Sequence, residues 1–217
     1  MADHMNSFCA GRGLPKRSGV LAWAWLACLV PSVAAAQNVS GAAPVPQSNM
    51  VQACQGCHGA GGNSTVSSTP RLNGQQAGYL ADRLKKLSDQ TRTNAHAKVG
   101  MFKDLSAADD AARMSVARFF SAQAPTPPKP GARAGEGKRI YEKGSVDDNV
   151  VACSLCHGPQ GNGHDTTPRI AGQHADYLKA QLQLFNVKFR EHILMNRNAK
   201  TMSEGTMDAL ISYLAND

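Results

Sequence analysis

A five-residue pattern occurs twice in the chain, as Cys54-Gln-Gly-Cys57-His58 and as Cys153-Ser-Leu-Cys156-His157. Two thiols three positions apart, followed at once by an imidazole, are suited to few kinds of chemistry. Paired disulfides would use the cysteines but leave both histidines without a role. A tetrathiolate zinc site would use the same thiols, yet the two pairs are 99 residues apart and lie in matching halves. A dithiol redox motif belongs in a βαβ surround, and no strand-rich pattern flanks either pair. The remaining chemistry is covalent attachment of a c-type haem. Two thiols add across the two vinyl groups at one porphyrin edge, and the adjacent imidazole is left under the ring to bind iron. The pattern therefore predicts two covalently bound haem c groups. Cys54, Cys57, Cys153 and Cys156 are the attachment points, and His58 and His157 the proximal iron ligands.

A haem built for electron transfer needs a ligand on its other face, and a methionine thioether favours ferrous iron. The second half offers Met195 and Met202. Met202 immediately precedes Ser203, a helix N-cap candidate, and reads as a packing residue. Met195 falls in what reads as a polar loop before the last helix, from which it can reach the iron. In the first half, aligning Leu105-Ser106 with Met202-Ser203 sets Lys98 opposite Met195. Aligning the aromatic pair Phe119-Phe120 with Tyr213-Leu214 instead sets Met101 there. The second register is preferred, because the closing helix packs on the haem fold and fixes its spacing to the ligand. Met101 is the expected ligand, with Lys98 and His96 as alternatives. The carbonyls of Pro70 and Pro168 are placed to accept from the histidine Nδ1, and Arg71 and Arg169 to pair with propionates.

The elements that must position these groups form a tandem pair. Cys54-x-x-Cys57-His58-Gly59 matches Cys153-x-x-Cys156-His157-Gly158, and Gly62-Asn63 matches Gly161-Asn162. Pro70-Arg71-Leu72-x-Gly74-Gln75 then matches Pro168-Arg169-Ile170-x-Gly172-Gln173, and Ala77-x-Tyr79-Leu80 matches Ala175-x-Tyr177-Leu178. Such self-similarity marks a duplication. Between the copies, Ala124-Pro-Thr-Pro-Pro-Lys-Pro130-Gly131 suits an extended linker and excludes helix. Tyr79, Leu80, Arg83, Leu84 and Leu87 follow a helical rhythm, echoed by Tyr177, Leu178, Gln181, Leu182 and Phe185. A last helix carries Met207, Leu210, Ile211 and Leu214 on one face, with a counterpart near 109–122. The expected fold is all-α: two cytochrome c-like domains, 37–123 and 134–217, joined by a Pro-rich linker over 124–133.

Arg12, Lys16 and Arg17 precede an apolar run from Val20 to Val30 and a small-residue stretch ending at Ala36. That order is expected of a secretory signal peptide over 1–36, and the run is short for a membrane span. Cys9 and Cys28 would leave with it. The 217 residues carry 23 basic and 16 acidic side chains. Losing Arg12, Lys16, Arg17 and Asp3 leaves a net charge of +5, which the propionates of two haems bring close to neutral. With no run of five like charges, a nucleic-acid partner is not expected. Aromatic content is only 6%, and a haem in each half would supply the missing hydrophobic bulk.

The paired C-x-x-C-H-G, G-N, P-R-[LI]-x-G-Q and Tyr-Leu patterns, with the Met segment and the closing helix, resemble the cytochrome c4 family over about residues 47–217. That resemblance implies periplasmic dihaem cytochromes, with two class I cytochrome c folds facing each other about a pseudo-twofold axis. It carries over the four cysteines, His58 and His157, Met195 as the second distal ligand and, through the helix spacing, Met101 as the first. The implied role is an electron carrier, not an enzyme. A quinol-oxidising complex or a dehydrogenase would be the donor and a terminal oxidase or other acceptor would follow, any membrane association running through those partners. The competing expectations are a haem enzyme of peroxidase or thiosulfate-dehydrogenase type, with an open or unusually ligated iron, and a cytochrome subunit of a larger dehydrogenase complex.

Overall fold

In the first half, three leucines at helical spacing decide the architecture. The computed structural model describes residues 49–88 and 108–216. Within it, α1 spans Asn49–His58 and α2 Ala77–Ser88, while a single 3-10 turn covers Ala60–Gly62. Leu80, Leu84 and Leu87 form the buried stripe of α2 and pack on α3, Asp110–Ser121, through Val116, Ala117 and Phe120. Removing a leucine of this kind from water is worth roughly 1.5–3 kcal/mol. Val51 of α1 completes that core. Asp109 caps α3, its carboxylate accepting from the Ala112 amide at 2.7 Å.

The second half repeats the plan, with five helices among the described residues. α4 spans Ala134–Lys143, α5 Ser154–His157, α6 Ala175–Asn186, α7 Ile193–Thr201 and α8 Glu204–Leu214. α4 crosses α8, and α6 packs on both α7 and α8. Ile140, Tyr141, Val150, Met202, Met207, Leu210, Ile211 and Leu214 make the core. Met202 is buried there, as its place before Ser203 suggests, and the Ser203 hydroxyl caps α8 by accepting from the Thr206 amide at 3.3 Å. Met195, expected in a loop, lies instead in the first turn of α7. His192 caps that helix through a hydrogen bond from the Met195 amide at 3.4 Å. The polar run Asn-Arg-Asn reads as loop, but this cap and the Asn196 bonds described below make it a helix.

The fold is all-α, two tandem cytochrome c-like domains with a proline-rich connection. Among the described residues β pairing is limited to isolated bridges, and no described helix is long and apolar enough to cross a membrane. Residues 124–131 are extended, as four prolines without amide donors require. Two of the amides that remain are used: Lys129 donates to the Ala215 carbonyl at 2.8 Å and Gly131 to that of Ser212 at 2.7 Å. From the first domain, the Asn73 amide group donates to the Ala124 carbonyl at 2.8 Å.

The segments expected as a signal peptide, and Met101, Lys98 and His96, lie outside the described residues.

Candidate haem-binding sites

Each Cys-x-x-Cys-His motif ends a helix, and the following glycine turns the chain away. Gly59 and Gly158 both have φ of 78°, a conformation that L side chains rarely adopt. At Gly59 a Cβ would also lie 2.6 Å from the Asn63 carbonyl oxygen. These turns send the chain past the imidazole, so that a proline returns beside it. His58 Nδ1 lies 2.8 Å from the Pro70 carbonyl and His157 Nδ1 lies 2.9 Å from that of Pro168.

A carbonyl oxygen only accepts, so in both rings Nδ1 carries the proton and Nε2 keeps its lone pair. Both imidazoles are nearly enclosed, at 6% and 8% exposure. Burial lowers the pKa of each below the ordinary histidine range, against the opposing pull of the proline carbonyl. The result is two neutral, oriented nitrogen donors, the form that binds a metal. His192 adds its charge to the forces depressing His157, and the same His192 caps α7 at the Met195 amide. Met195 itself is half-buried.

The four cysteines form no disulfide; Cys54 and Cys153 are half-buried, Cys57 and Cys156 exposed. Burial pushes the Cys153 thiol up to about 11, so it stays neutral. The donor set fits a c-type haem: two unbridged thiols and an imidazole with a free Nε2, presented on a single helical end in each domain. Exposed apolar side chains lie close in sequence to the second motif and to Met195. Leu155, inside the second motif, and Ile193 and Leu194, beside Met195, are large apolar side chains exposed by 76%, 88% and 54%.

Other functional contacts were not anticipated from the sequence. Tyr141, fully buried in α4, donates its hydroxyl to the Gly158 carbonyl and pins the turn that follows His157. Burial raises its pKa, keeping the hydroxyl a donor. Arg71 and Arg169 lie where the two domains meet. The Arg71 guanidinium donates to the Gly172 and Asn216 carbonyls at 3.0 and 2.9 Å, and that of Arg169 to Asn162 and to the Thr126 carbonyl at 3.2 Å. They are therefore not free surface charges. Gln75 and Gln173, repeated in the sequence but given no role, bridge the domains there. Their recurrence at matched positions was the available signal.

Comparison with known proteins agrees with this geometry. Residues 134–216 match the family model described as Cytochrome c. The chain is 36% identical over 171 residues to a thiosulfate dehydrogenase electron acceptor of Thiomonas intermedia, covering 75% of this chain and 77% of that protein. It is 31% identical over 176 residues to cytochrome c4 of Azotobacter vinelandii, covering 74% and 82%. The solved structure of Acidithiobacillus ferrooxidans cytochrome c4 superposes with a TM-score of 0.70 at 34% identity, covering 75% of this chain and 98% of that one. With two motifs, two oriented imidazoles and two helical domains in one chain, the protein belongs to the cytochrome c4 family of dihaem c-type cytochromes.

Proposed function

We propose that this chain is a periplasmic electron shuttle that carries a haem c in each of two domains, residues 37–123 and 134–217, after export directed by residues 1–36. The observation that carries this reading is the matched pair of buried imidazoles, each fixed by a proline carbonyl with Nε2 left to bind iron. Bound haem supplies the one-electron ferric–ferrous couple.

The residues of the chain do the rest. Cys54 and Cys57, and Cys153 and Cys156, would hold each ring covalently, and His58 and His157 would supply the proximal nitrogen. Pro70 and Pro168 hold the imidazole planes and raise their basicity as ligands. Met195 would hold the distal side of the second haem and Met101 that of the first, leaving neither iron open to substrate. That closure favours a carrier over an enzyme. A dehydrogenase is favoured as donor, since a relative at 36% identity bears the name of a thiosulfate dehydrogenase electron acceptor. The acceptor is then a terminal oxidase or another oxidant of the same compartment.

Carbon monoxide tests the closed irons. Added to the fully reduced holoprotein, it should leave both haem spectra unchanged. Stoichiometric binding at either haem overturns the carrier reading. Rapid mixing with a thiosulfate dehydrogenase and thiosulfate should reduce both haems; reduction no faster than without the dehydrogenase removes that enzyme class as donor.

A further inference from the structure

The segment that leads into α7 is held by a residue of the other domain. Arg190, in the turn after α6, points one arm of its guanidinium at the Tyr79 hydroxyl, 2.9 Å away, and Tyr79 belongs to α2 of the first domain. The other arm donates to Gln181 Oε1 at 2.6 Å. The guanidinium carbon stands 4.5 Å from the centre of the Phe185 ring, within cation–π range. Burial works against its charge, but the hydroxyls of Tyr79 and Tyr177 offset this, and the net shift keeps it protonated.

The backbone of the same residue is tied to α7. Asn196 donates to the Arg190 and Phe185 carbonyls at 2.8 and 2.7 Å, and accepts from the His192 amide at 2.7 Å. His192 in turn caps α7 at Met195. A continuous path of hydrogen bonds therefore runs from Tyr79 through Arg190, Asn196 and His192 to the turn that carries Met195. The Tyr79 end is itself anchored. Its amide donates to the Asp165 carbonyl at 3.2 Å, and Arg83 lies over its ring at 5.3 Å.

We propose that Tyr79, a residue of the first domain, is a positioning residue for the distal side of the second haem, acting through Arg190 to hold the 187–196 segment. This rests on the assignment of Met195 as distal ligand. The consequence is directional: loosening Tyr79 weakens the distal ligand of the other domain's haem and leaves that of its own domain unchanged. A residue that merely supported its own helix would act on the first haem, or on both.

The test uses the ferric and ferrous holoprotein carrying Tyr79→Phe, which keeps the ring and removes only the hydroxyl. Imidazole should displace the distal ligand of one haem about tenfold more readily than in the wild type, the effect of losing one hydrogen bond to a charged group. Each iron-bound methionine gives a methyl proton resonance shifted upfield by the ring current in the reduced state. The affected haem should be the one whose resonance Met195→Ala abolishes. Amide hydrogen exchange over 187–196 should rise several-fold. Arg190→Lys, which keeps the charge but loses the two-armed geometry, should act in the same direction. Equal displacement at both haems, displacement at the first alone, or unchanged imidazole affinity overturns the proposal. If Met195→Ala leaves both upfield resonances in place, the ligand assignment is what fails. The coupling is then judged by exchange over 187–196, where an unchanged rate overturns it.

Discussion

Gln75 and Arg169 exchange two hydrogen bonds across the seam between the domains: Gln75 Oε1 accepts from the Arg169 amide at 2.7 Å and its Nε2 donates to the Arg169 carbonyl at 2.8 Å. Gln173 does the same to Arg71, at 2.9 and 3.0 Å. A primary amide offers both a donor and an acceptor, so each glutamine satisfies one backbone amide and one carbonyl that the seam would otherwise strand. Both glutamines are 7% exposed. The sites are related by the sequence repeat, and so is the interaction.

Gln75→Ala or Gln173→Ala should therefore destabilise the holoprotein by about 2 kcal/mol, the cost of leaving buried backbone groups unpaired. Denaturant titration gives the number. The double variant should fall short of or exceed the sum by a measurable interaction energy, since both glutamines hold one seam. Losses within error of zero at both positions would show that water replaces the glutamines without cost.

Two glycines of α4 should respond in opposite senses. A Cβ on Gly137 would lie 1.9 Å from the Ala209 carbonyl oxygen and 2.9 Å from the Tyr213 Cβ, so α4 and α8 can cross only with glycine there. Gly137→Ala should cost about 3 kcal/mol or more, the range of an overpacked core. At Gly135 a Cβ meets nothing within 4 Å. Gly135→Ala should raise stability by about 0.5–1 kcal/mol through helix propensity. Thermal melts of the two variants beside the wild type check both signs.

Asp148 supplies a pH dependence. Its carboxylate accepts from the Ser203 hydroxyl at 2.8 Å and the Ser203 amide at 3.2 Å, at the N-terminus of α8. Hydrogen bonds from Thr206 and Ser203 hold its pKa below the ordinary carboxylate range. A lowered folded value means that the ionised carboxylate stabilises the fold above the unfolded pKa, near ~4. That contribution is lost as pH falls through the lower folded value. Asp148→Asn keeps an acceptor oxygen and loses only a solvent-screened charge. It should therefore cost a few tenths of a kcal/mol at neutral pH, roughly the worth of an exposed charge, and the gap to wild type should close on acidification below ~4. Denaturation midpoints at pH 7 and at successively lower pH measure it. A constant gap would mean the charge has no part in the cap.

The helical spacing of Leu80, Leu84 and Leu87, the proline-rich connection and the cap at Ser203 could all be read from residue order, because each is a local preference. So could the proline carbonyls beside His58 and His157, since a proline that recurs 12 and 11 residues after the repeated histidine, within a repeated Pro-Arg pattern, has little other use. The α7 helix could not. Its start depends on His192 as a cap and on Asn196 reaching back to Phe185 and Arg190, contacts that no periodicity encodes. The seam was hidden for the same reason. Gln75 meets Arg169, and Tyr79 meets Arg190, only after the two domains have packed, and propensity does not register pairings 94 and 111 residues apart. Arg71 and Arg169 were visible as repeated charges, but their carbonyl partners across the seam were not.

The two distal ligands provide the sharpest test of how far the repeat extends. Methionine bound to ferric haem gives a weak near-infrared charge-transfer band, and two His/Met haems should give two such contributions in this protein. Met195→Ala should remove about half of the band intensity and open one reduced iron to carbon monoxide. The fold should survive, because Met195 is half-buried and Met202, not Met195, belongs to the core of the second domain. Met202→Ala should do the reverse, costing about 2–4 kcal/mol with the band intact. Met101→Ala should remove the other half. Should the band persist there, Lys98→Ala and His96→Ala separate the remaining donors: loss of an amine or an imidazole each leaves its own spectral change at the first haem. A band untouched by Met195→Ala would break the correspondence between the halves at the second iron, where Met195 is the assigned ligand.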